Sequence, residues 1–250
     1  MLLKDRVCIV TGAAQGLGKA YAKGFLENGA KAVIVDVNQQ ALDETCQELS
    51  SLGDVLAVKA DVTSEEETAR MADQTQGHFG KIDVLVNNAA VFSTLTVGPW
   101  MDLSLEEWDR VCAVQLRGMF LCCRAVYPAM KRQGKGKIIN VSSATAINGK
   151  TGYLHYVTSK AGVIGFTRAL AREIGKDGIT VNTLSPGSVR TEKHREAADS
   201  EHWRRNLEMR SLKRDSRPED IVRVAIFLAS DLSDWMTGQL INVDGGKTLY

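Results

Sequence analysis

The sequence predicts an α/β fold in which a doubly wound parallel sheet of seven strands has helices on both faces. Short β-rich runs alternate with longer helical patterns along the chain, and some runs are continuously apolar, as in Val33-Ile34-Val35. Such runs are typical of strands buried on both faces, and strict β–α alternation favours right-handed crossovers. No Pro/Ser-rich linker or internal repeat interrupts the sequence. We therefore predict a single domain over residues 1–250.

Seven strands are predicted from short runs rich in apolar and β-branched residues. In chain order they are Val7–Thr11, Ala32–Asp36, Val55–Ala60, Ile82–Asn87, Lys137–Ser142, Ile179–Leu184 and Gln239–Val243. Two of the intervening helices begin with capping-box patterns, in which Ser64 precedes Glu67 and Ser104 precedes Glu107. In a doubly wound sheet, ligands bind outside the carboxyl ends of the strands, so residues that follow strands are the first candidates for a site.

Two predicted helices, 104–131 and 153–175, are apolar on more than one face. The sheet can cover one face of each helix, and a second subunit is the natural cover for another. We therefore expect a homo-oligomer, a tetramer or a dimer, formed through these two helices. A thick monomeric core is the alternative.

Composition and charge exclude several function classes. The formal net charge is +1, so the chain lacks the electrostatic footprint of a protein that binds nucleic acid or an anionic membrane. The 5 cysteines form no CxxC pair, and the 4 histidines lack metal-ligand spacing, so we expect free thiols and no metal. No signal-peptide pattern or membrane-spanning apolar stretch occurs, and a cytoplasmic protein is expected.

A glycine-rich turn follows the first predicted strand and leads into a helical pattern. Its sequence is Thr11-Gly12-Ala13-Ala14-Gln15-Gly16-Leu17-Gly18. Glycines permit a tight turn and close approach of the backbone, while the free N–H groups and dipole at a helix N-terminus attract phosphate. We predict that Gly12, Gln15, Gly16, Leu17 and Gly18 bind the pyrophosphate of a dinucleotide, although a plain βα turn has a similar pattern.

Polar residues at the ends of later strands extend this predicted cofactor site. Asp36 ends the second strand, where a carboxylate accepts hydrogen bonds from a ribose 2′-OH and repels a 2′-phosphate. Neither the glycine turn nor the two residues after Asp36 contain Lys or Arg. NAD is therefore predicted rather than NADP. Four further candidates follow the third and fourth strands, although turn formation explains them nearly as well: Asp61, Val62, Asn88 and Ala89.

A serine, a tyrosine and a lysine follow the fifth strand. Tyr156 and Lys160 lie four residues apart, so they share one face of a helix. The pKa of a free tyrosine lies near 10, and a nearby ammonium together with the positive nicotinamide ring of NAD⁺ would lower it. Ser143 is placed to donate to a substrate oxygen. By spacing alone, the pair Tyr156 and Lys160 also fits an ordinary surface feature.

Taken together, these motifs resemble those of the short-chain dehydrogenase/reductase family over essentially the whole chain. The motifs are the TGxxxGxG loop from Thr11 to Gly18, the NNA segment Asn87–Ala89, Ser143 with the YxxxK pair Tyr156 and Lys160, Pro186-Gly187, and Asp244-Gly245-Gly246. The resemblance implies a Rossmann-type fold and an NAD-dependent oxidoreductase that acts on a CH–OH group.

The resemblance also implies roles for individual residues. Tyr156 would exchange a proton with the substrate oxygen, Lys160 would hold the nicotinamide ribose and lower the tyrosine pKa, and Ser143 would polarise the carbonyl. Further cofactor contacts are implied for Pro186, Gly187, Val189 and Thr191. The sequence departs from the family pattern at Ala90, where glycine is usual, and at Gln115, where many members have an asparagine that supports a water-linked proton relay. Gln115 is retained as a candidate on a longer side chain.

Three segments are expected to form the substrate pocket: Val91–Met101, Ala144–His155 and a lid around residues 190–213. The predicted lining comprises Ser143, Thr145, Tyr153 and Phe92, with Trp100, Leu154 and Trp203 as further aromatic or apolar candidates. Basic lid residues such as Lys193, His194 and Arg195 are better explained by a solvated helix, because acidic residues are interspersed among them.

Three functions remain open from the sequence. The leading one is an alcohol dehydrogenase or ketone reductase whose substrate has an apolar or ring-bearing substituent. The second is a sugar or polyol dehydrogenase, in which Asn148, Lys150 and His155 would bind hydroxyl groups. The third is a non-catalytic NAD-binding protein. The presence of Ser143, Tyr156 and Lys160 argues against the third, and the unusual Gln115 is its only support.

Overall fold

The seven predicted strands form one parallel sheet in the computed structural model, which describes residues 1–191 and 201–249, without the side chain of His202. The strands are β1 (Val7–Thr11), β2 (Lys31–Asp36), β3 (Val55–Lys59), β4 (Val84–Asn87), β5 (Gly136–Val141), β6 (Ile179–Pro186) and β7 (Leu240–Val243). Their order is β3-β2-β1-β4-β5-β6-β7, and all six pairings are parallel. The predicted fold class is confirmed.

Helices cover both faces of the sheet. They are α1 (Gly16–Glu27), α2 (Gln39–Leu49), α3 (Glu65–Phe79), α4 (Leu105–Cys112), α5 (Met119–Gln133), α6 (Thr145–Asn148), α7 (Leu154–Ile174), α8 (Glu201–Met209) and α9 (Pro218–Ala229). Cys8 and Val10 of β1 pack into one core with α1 and α9, whereas Val7 and Ile9 pack into a second core with α3 and α5. Both faces of β1 are thus buried, which explains its continuously apolar sequence.

The helix predicted over residues 104–131 forms, but its central part is π-helical rather than α-helical. A π-helical segment, Ala113–Gly118, separates α4 from α5 and contains Gln115. A Cβ at Gly118 would lie 2.7 Å from Cγ2 of Val62, so this segment packs closely against the loop after β3. Single π-helical turns inside α-helices often occur at functional sites, because the extra residue redirects side chains.

Only the serine half of each predicted capping box forms. Ser64 and Ser104 accept hydrogen bonds from the backbone N–H groups of Glu67 and Glu107, at 3.2 Å and 3.1 Å. The glutamate carboxylates do not reach back to the serines. Glu67 accepts from the N–H of Asp61, and Glu107 accepts from the N–H of Thr96. Both glutamates therefore fix the preceding loops. Within the described ranges, no helix is both long and apolar enough to cross a membrane.

Candidate active site

The candidate residues meet at the carboxyl edge of the sheet, where the strand order reverses between β1 and β4. The glycine turn joins β1 to α1 at this point, and the ends of β4, β5 and β6 lie beside it. In doubly wound sheets such a reversal opens a crevice above the strand ends, because the crossovers on its two sides pack on opposite faces.

The glycine turn leaves room for an anion at the start of α1. Gly12 and Gly16 have φ values of 64° and 58°, a region that favours glycine. A Cβ at Gly18 would lie 2.1 Å from the carbonyl oxygen of Gly12, so no side chain fits there. No side chain caps α1, and its first turn contains no acidic residue. The first N–H groups of α1 therefore fit a pyrophosphate.

Asn88 fixes the shape of the glycine turn. Its side-chain amide donates to the carbonyl oxygens of Thr11 and Gly12, at 3.0 Å and 3.1 Å. The Thr11 hydroxyl accepts from the backbone N–H groups of Asn88 and Ala89, at 3.0 Å and 3.1 Å. Both amide hydrogens of Asn88 are thus directed at the protein backbone. Asn88 is placed to shape the predicted cofactor site rather than to donate to a cofactor.

Asp36 lies at the end of β2, where its carboxylate accepts backbone N–H groups from both sides. The donors are Ala14 in the glycine turn, at 3.2 Å, and Asn38, at 3.1 Å. The neighbouring Val37 side chain is exposed. Lys59 is the register partner of Asp36 on β3, but the part of the chain described contains no ion pair between them. The two backbone donors therefore hold the Asp36 carboxylate at the rim of the predicted ribose site.

The other two candidates after β3 have structural contacts. Oδ1 of Asp61 accepts from the backbone N–H and the hydroxyl of Thr63, both at 2.8 Å, so this carboxylate forms the turn before α3. Val62 is buried against Gly118 of the π-helical segment. These contacts do not exclude an adenine beside the turn, but they account for both residues without one.

Ser143 follows β5 and is linked to Thr145 at the start of α6. The Thr145 hydroxyl donates to Oγ of Ser143 at 2.9 Å, and the backbone N–H of Thr145 approaches the same oxygen at 3.3 Å. Because Ser143 accepts in both contacts, its own O–H hydrogen is available to donate to Tyr156 or to a substrate oxygen. The neighbouring Ser142 is buried and donates to the carbonyl oxygen of Lys160 at 2.6 Å.

Tyr156 lies on the first turn of α7, in contact with two other aromatic rings. The ring centroids of Phe92 and Tyr153 lie 5.1 Å and 6.4 Å from that of Tyr156. Burial raises the pKa of Tyr156 to about 12, although a hydrogen bond with Ser143 acts in the opposite direction. Phe92 and Tyr153 thus lie beside Tyr156 as the substrate-pocket prediction expects, whereas Thr145 contacts Ser143.

Lys160 is buried one turn further along α7. Its Nζ donates to the carbonyl oxygen of Val141 at 2.8 Å and lies 5.8 Å from the centroid of the Tyr156 ring. Burial lowers the pKa of Lys160 to about 8. In the protein alone, the pKa of Tyr156 is raised, because burial of the tyrosine is the larger effect. The expected lowering of the Tyr156 pKa by Lys160 therefore does not appear in the protein alone.

Gln115 is buried in the π-helical segment and bonds to Ser159 on α7. Its Nε2 donates to Oγ of Ser159 at 2.6 Å, and the Ser159 hydroxyl donates to the carbonyl oxygen of Tyr156 at 2.8 Å. Since that hydroxyl hydrogen is already used, Ser159 can only accept from Gln115, and the amide oxygen must face the other way. Among the described residues Oε1 of Gln115 has no hydrogen-bond partner, and Gln115 lines a narrow cavity together with Lys160.

The loop after β6 closes the other side of the crevice. The Pro186 carbonyl oxygen accepts from the N–H of Ala144, and the N–H of Gly187 donates to Val243 on β7. A Cβ at Gly187 would lie 2.6 Å from Cβ of Asp244, which requires glycine there. Val189 is buried, and Thr191 is the last residue described before residue 201.

Part of the predicted lid lies outside the described residues, including Lys193, His194 and Arg195. In the described part, Trp203 is buried with Arg190 over its ring at 5.2 Å, so it anchors α8. Trp100 and Leu154 line a separate cleft with His155 and not the surroundings of Tyr156. The place of these three residues in the substrate pocket stays a prediction.

Sequence reasoning missed Ser159 and Thr145 as partners of candidate residues. Ser159 lies inside the YxxxK motif, three residues after Tyr156, so the sequence already placed it on the same helix as Tyr156. Its bond to Gln115 depends on the π-helical segment, which the sequence pattern does not reveal. Thr145 was predicted to line the pocket, but nothing in the pattern pointed to its bond with Ser143.

Comparisons with known proteins agree with this architecture. The sequence model of the family described as enoyl-(acyl carrier protein) reductase matches residues 12–248. A 3-oxoacyl-[acyl-carrier-protein] reductase from Thermotoga maritima is 37% identical, with 100% of both chains covered. A 3alpha-hydroxysteroid dehydrogenase from Mediterraneibacter gnavus is 35% identical, with 98% of both covered. The solved structure of a short-chain type dehydrogenase/reductase from Mycobacterium ulcerans has a TM-score of 0.94 at 30% identity, covering 99% of this chain and 91% of that one.

Proposed function

Because the chain belongs to the short-chain dehydrogenase/reductase family, we propose that it interconverts a secondary alcohol and a ketone by hydride transfer with NAD. The observation that carries the proposal is the placement of Tyr156 beside Ser143, at the strand edge that also holds the uncapped glycine turn. Two relatives are named for reactions at an oxo or hydroxyl carbon, which supports the same reaction type here.

In the reductive direction, Tyr156 donates the proton and Ser143 donates a hydrogen bond to the same substrate oxygen. When bound, NADH supplies the hydride. The contact with Thr145 keeps Ser143 in the donor role, because it fills an acceptor position on Oγ and leaves the O–H hydrogen free. A tyrosine whose pKa is about 12 holds its proton at neutral pH, as a proton donor requires.

The preference for NAD over NADP rests on Asp36. Its carboxylate is held by two backbone N–H groups at the end of β2, so a cofactor phosphate at the ribose 2′ position would meet a fixed negative charge. Placing like charges together costs several kcal/mol. No side chain caps α1, which supports a pyrophosphate at its N-terminus. We assign Val189 and Thr191 to the nicotinamide carboxamide, as the resemblance implies.

We assign Gln115 to the proton path behind Lys160, with Ser159 as its positioning residue. The 2.6 Å bond to Ser159 directs Oε1 of Gln115 into the cavity lined by Lys160. A buried acceptor without a protein partner favours an ordered water, which would connect the amide to the lysine. Ser159→Ala frees the amide to rotate. We expect a slower proton-transfer step, seen as a changed solvent isotope effect and pH profile, and recovery of both in Ser159→Thr.

Activity on a panel of alcohols and ketones, followed by NADH absorbance, tests the main proposal. Tyr156→Phe removes only the hydroxyl group and should lower kcat by more than about 100-fold. Tyr127→Phe is a matched control, because its hydroxyl donates to Asp177 at 2.8 Å, near the start of β6 at the opposite edge of the sheet. Equal activity of parent and Tyr156→Phe, or cofactor binding without turnover of any substrate, would refute the proposal.

Titration calorimetry with NADH and NADPH tests the cofactor assignment separately. NADH should bind at least about tenfold more tightly to the parent, since the 2′-phosphate would face Asp36. In Asp36→Ser this preference should largely disappear, whereas Asp43→Ser on the exposed side of α2 should keep it. Tighter binding of NADPH by the parent would overturn the role of Asp36.

The alternative of a sugar or polyol dehydrogenase is less well supported than the sequence suggested. Asn148 donates to the hydroxyl of Thr248, and His155 is buried 3.4 Å from Glu107. Two of the three polar residues invoked for hydroxyl recognition are thus engaged elsewhere. The proposal of a non-catalytic protein keeps only the unusual Gln115, which the contact with Ser159 now accounts for.

We also propose a cytoplasmic homo-oligomer, a dimer or tetramer that associates through α4, α5 and α7. Leu105, Phe120 and Leu154 on these helices are 80%, 45% and 44% exposed. Covering such side chains is favourable at about 25 cal/mol per Å². Leu105→Asp should reduce the mass measured by sedimentation, while Leu232→Asp at a distant exposed site should not. A parent that sediments as a monomer would contradict this proposal.

A further inference from the structure

Three basic side chains come together next to Tyr153, whose ring contacts that of Tyr156. We call them the cationic rim: Lys150, Arg210 and Lys247. Lys150 lies in the loop before α7, Arg210 follows α8, and Lys247 belongs to the segment after β7. The cationic rim therefore spans three segments: the loop before α7, and two segments that lie against the loop after β6.

Direct contacts hold these three segments together. Asn148 donates to the hydroxyl of Thr248 at 3.0 Å, and Nζ of Lys247 donates to Oδ1 of Asn206 on α8 at 2.7 Å. A Cβ at Gly245 would lie 3.4 Å from Cδ of Arg210. Contacts between neighbouring segments therefore hold the cationic rim in place.

The rim brings three cations together near two carboxylates, Asp215 and Asp244, whose charges act on Arg210. Over residues 1–191 and 201–249, no carboxylate lies within ion-pair distance of any of the three cations. Arg210 is buried and donates to the carbonyl oxygens of Arg214 and Ser188, and its Nε has no hydrogen-bond partner among residues 1–191 and 201–249. The pKa of Lys247 is lowered by burial and by the charges of Arg210 and Lys150, against a smaller opposite effect of Asp244.

The rim lies at a definite distance from the reacting group. Nζ of Lys150 stands 3.8 Å from the centroid of the Tyr153 ring, and that centroid lies 6.4 Å from the ring of Tyr156. Together these distances put the Lys150 ammonium within about 10 Å of the Tyr156 ring. The surface between them is aromatic, formed by Tyr153 with Phe92 stacked beside it.

We propose that the substrate has an anionic group, a carboxylate or a phosphate, at the end remote from its carbonyl or alcohol carbon. Lys150 and Lys247 bind this anion, Arg210 adds positive charge from behind, and the aromatic rings cover an apolar middle section of the substrate. The inference rests on the proposed oxidoreductase function and names a class of substrate for its active site. Charge-assisted hydrogen bonds of this kind are about twice as strong as neutral ones.

Rates with matched pairs of substrates test the inference. The pairs are linear oxo acids with the ketone at the penultimate carbon and their methyl esters, with oxoalkyl phosphates of the same lengths to separate carboxylate from phosphate. The parent should favour the acids or phosphates over the esters by about tenfold in kcat/KM. Lys150→Gln and Lys247→Gln should each lower this ratio about three- to tenfold, mainly through KM. Lys176→Gln, on the exposed turn before β6, is the matched control and should keep the parent ratio.

A binding measurement keeps the inference testable without turnover. Calorimetric titration with hexanoate, hexyl phosphate and neutral hexanamide should show tighter binding of at least one anion, and Lys150→Gln should weaken only the anions. Two outcomes would overturn the inference. One is equal kcat/KM for acids and esters in the parent together with equal binding of the anions and the amide. The other is that the lysine variants lose affinity equally for charged and neutral ligands. Anion binding without turnover of any substrate would instead sink the proposed oxidoreductase function and leave the anion site standing.

Discussion

Replacing Lys160 with methionine should stabilise the protein near neutral pH while impairing the proposed reaction. Burial lowers the pKa of Lys160 from 10.5 to about 8, which corresponds to a cost of about 3 kcal/mol for keeping the ammonium in the folded state. Methionine retains an apolar side chain but leaves the Val141 carbonyl oxygen without its donor, at a cost of about 1 to 2 kcal/mol. The net gain in the free energy of unfolding should therefore be about 1 to 2 kcal/mol at pH 7.

This gain should depend on pH with a definite sign. Below pH 8 the lysine is protonated in the folded and unfolded states, so the parent bears the whole burial cost. Between about 8 and 10.5 the folded state loses the proton first, so the stability of the parent rises relative to the variant. The advantage of Lys160→Met should shrink through this window. Urea denaturation without cofactor, repeated at intervals from pH 7 to pH 10, measures it.

Lys137 provides a matched control, because it is also a buried lysine but has an ionic partner. Its Nζ lies 2.6 Å from Oδ1 of Asp234 and 3.2 Å from the hydroxyl of Ser233. Burial lowers the pKa of Lys137 as well, but Asp234 acts in the opposite direction and offsets part of that effect. Lys137→Met also breaks these contacts, so it should gain less stability than Lys160→Met, or lose some. A Lys160→Met variant that is less stable than the parent at pH 7, or whose gain does not change with pH, would refute the assignment of a burial cost to Lys160.

Three further predictions concern the groups around the proposed site. Gly18→Ala should weaken NADH binding more than about tenfold in calorimetry, because its Cβ would lie 2.1 Å from a loop carbonyl, whereas Gly165→Ala at an open helix position should be neutral or stabilising. Asn88→Ala removes two donors from the glycine turn and should lower stability by about 1 to 3 kcal/mol in urea denaturation; an unchanged midpoint would contradict its clamping role. Thr145→Val should reduce kcat about tenfold with little change in KM, and an equal loss in both would indicate a structural defect instead.

The strands and their order along the chain were predictable because strand residues bury both faces. Val33, Val35 and Ile34 lie in opposite cores, so the apolar run carries the signal directly. The position of the glycine turn was also predictable, because φ values such as those of Gly12 and Gly16 favour glycine in any tertiary context.

The interruption at Ala113–Gly118 was not predictable from periodicity, because it depends on a tertiary contact. Gly118 lets the segment approach Val62, which lies more than fifty positions earlier in the chain. The same limit applies to Trp203, which aromatic composition placed in the substrate pocket and which the structure buries beneath Arg190. Local sequence cannot tell a side chain that faces a pocket from one that anchors a helix.

The pKa of Tyr156 shows that local sequence also cannot decide between burial and a neighbouring charge. Helix spacing put an ammonium near the phenol, but packing decides that burial raises the pKa of Tyr156 to about 12 and lowers that of Lys160 to about 8. Lys160 is thus the stronger acid of the two in the protein alone. In the proposed reaction, a tyrosinate left by proton donation can therefore regain its proton from Lys160. Ser159 holds the amide of Gln115, which lines the same cavity as Lys160, so the proposed relay would in turn reprotonate the lysine.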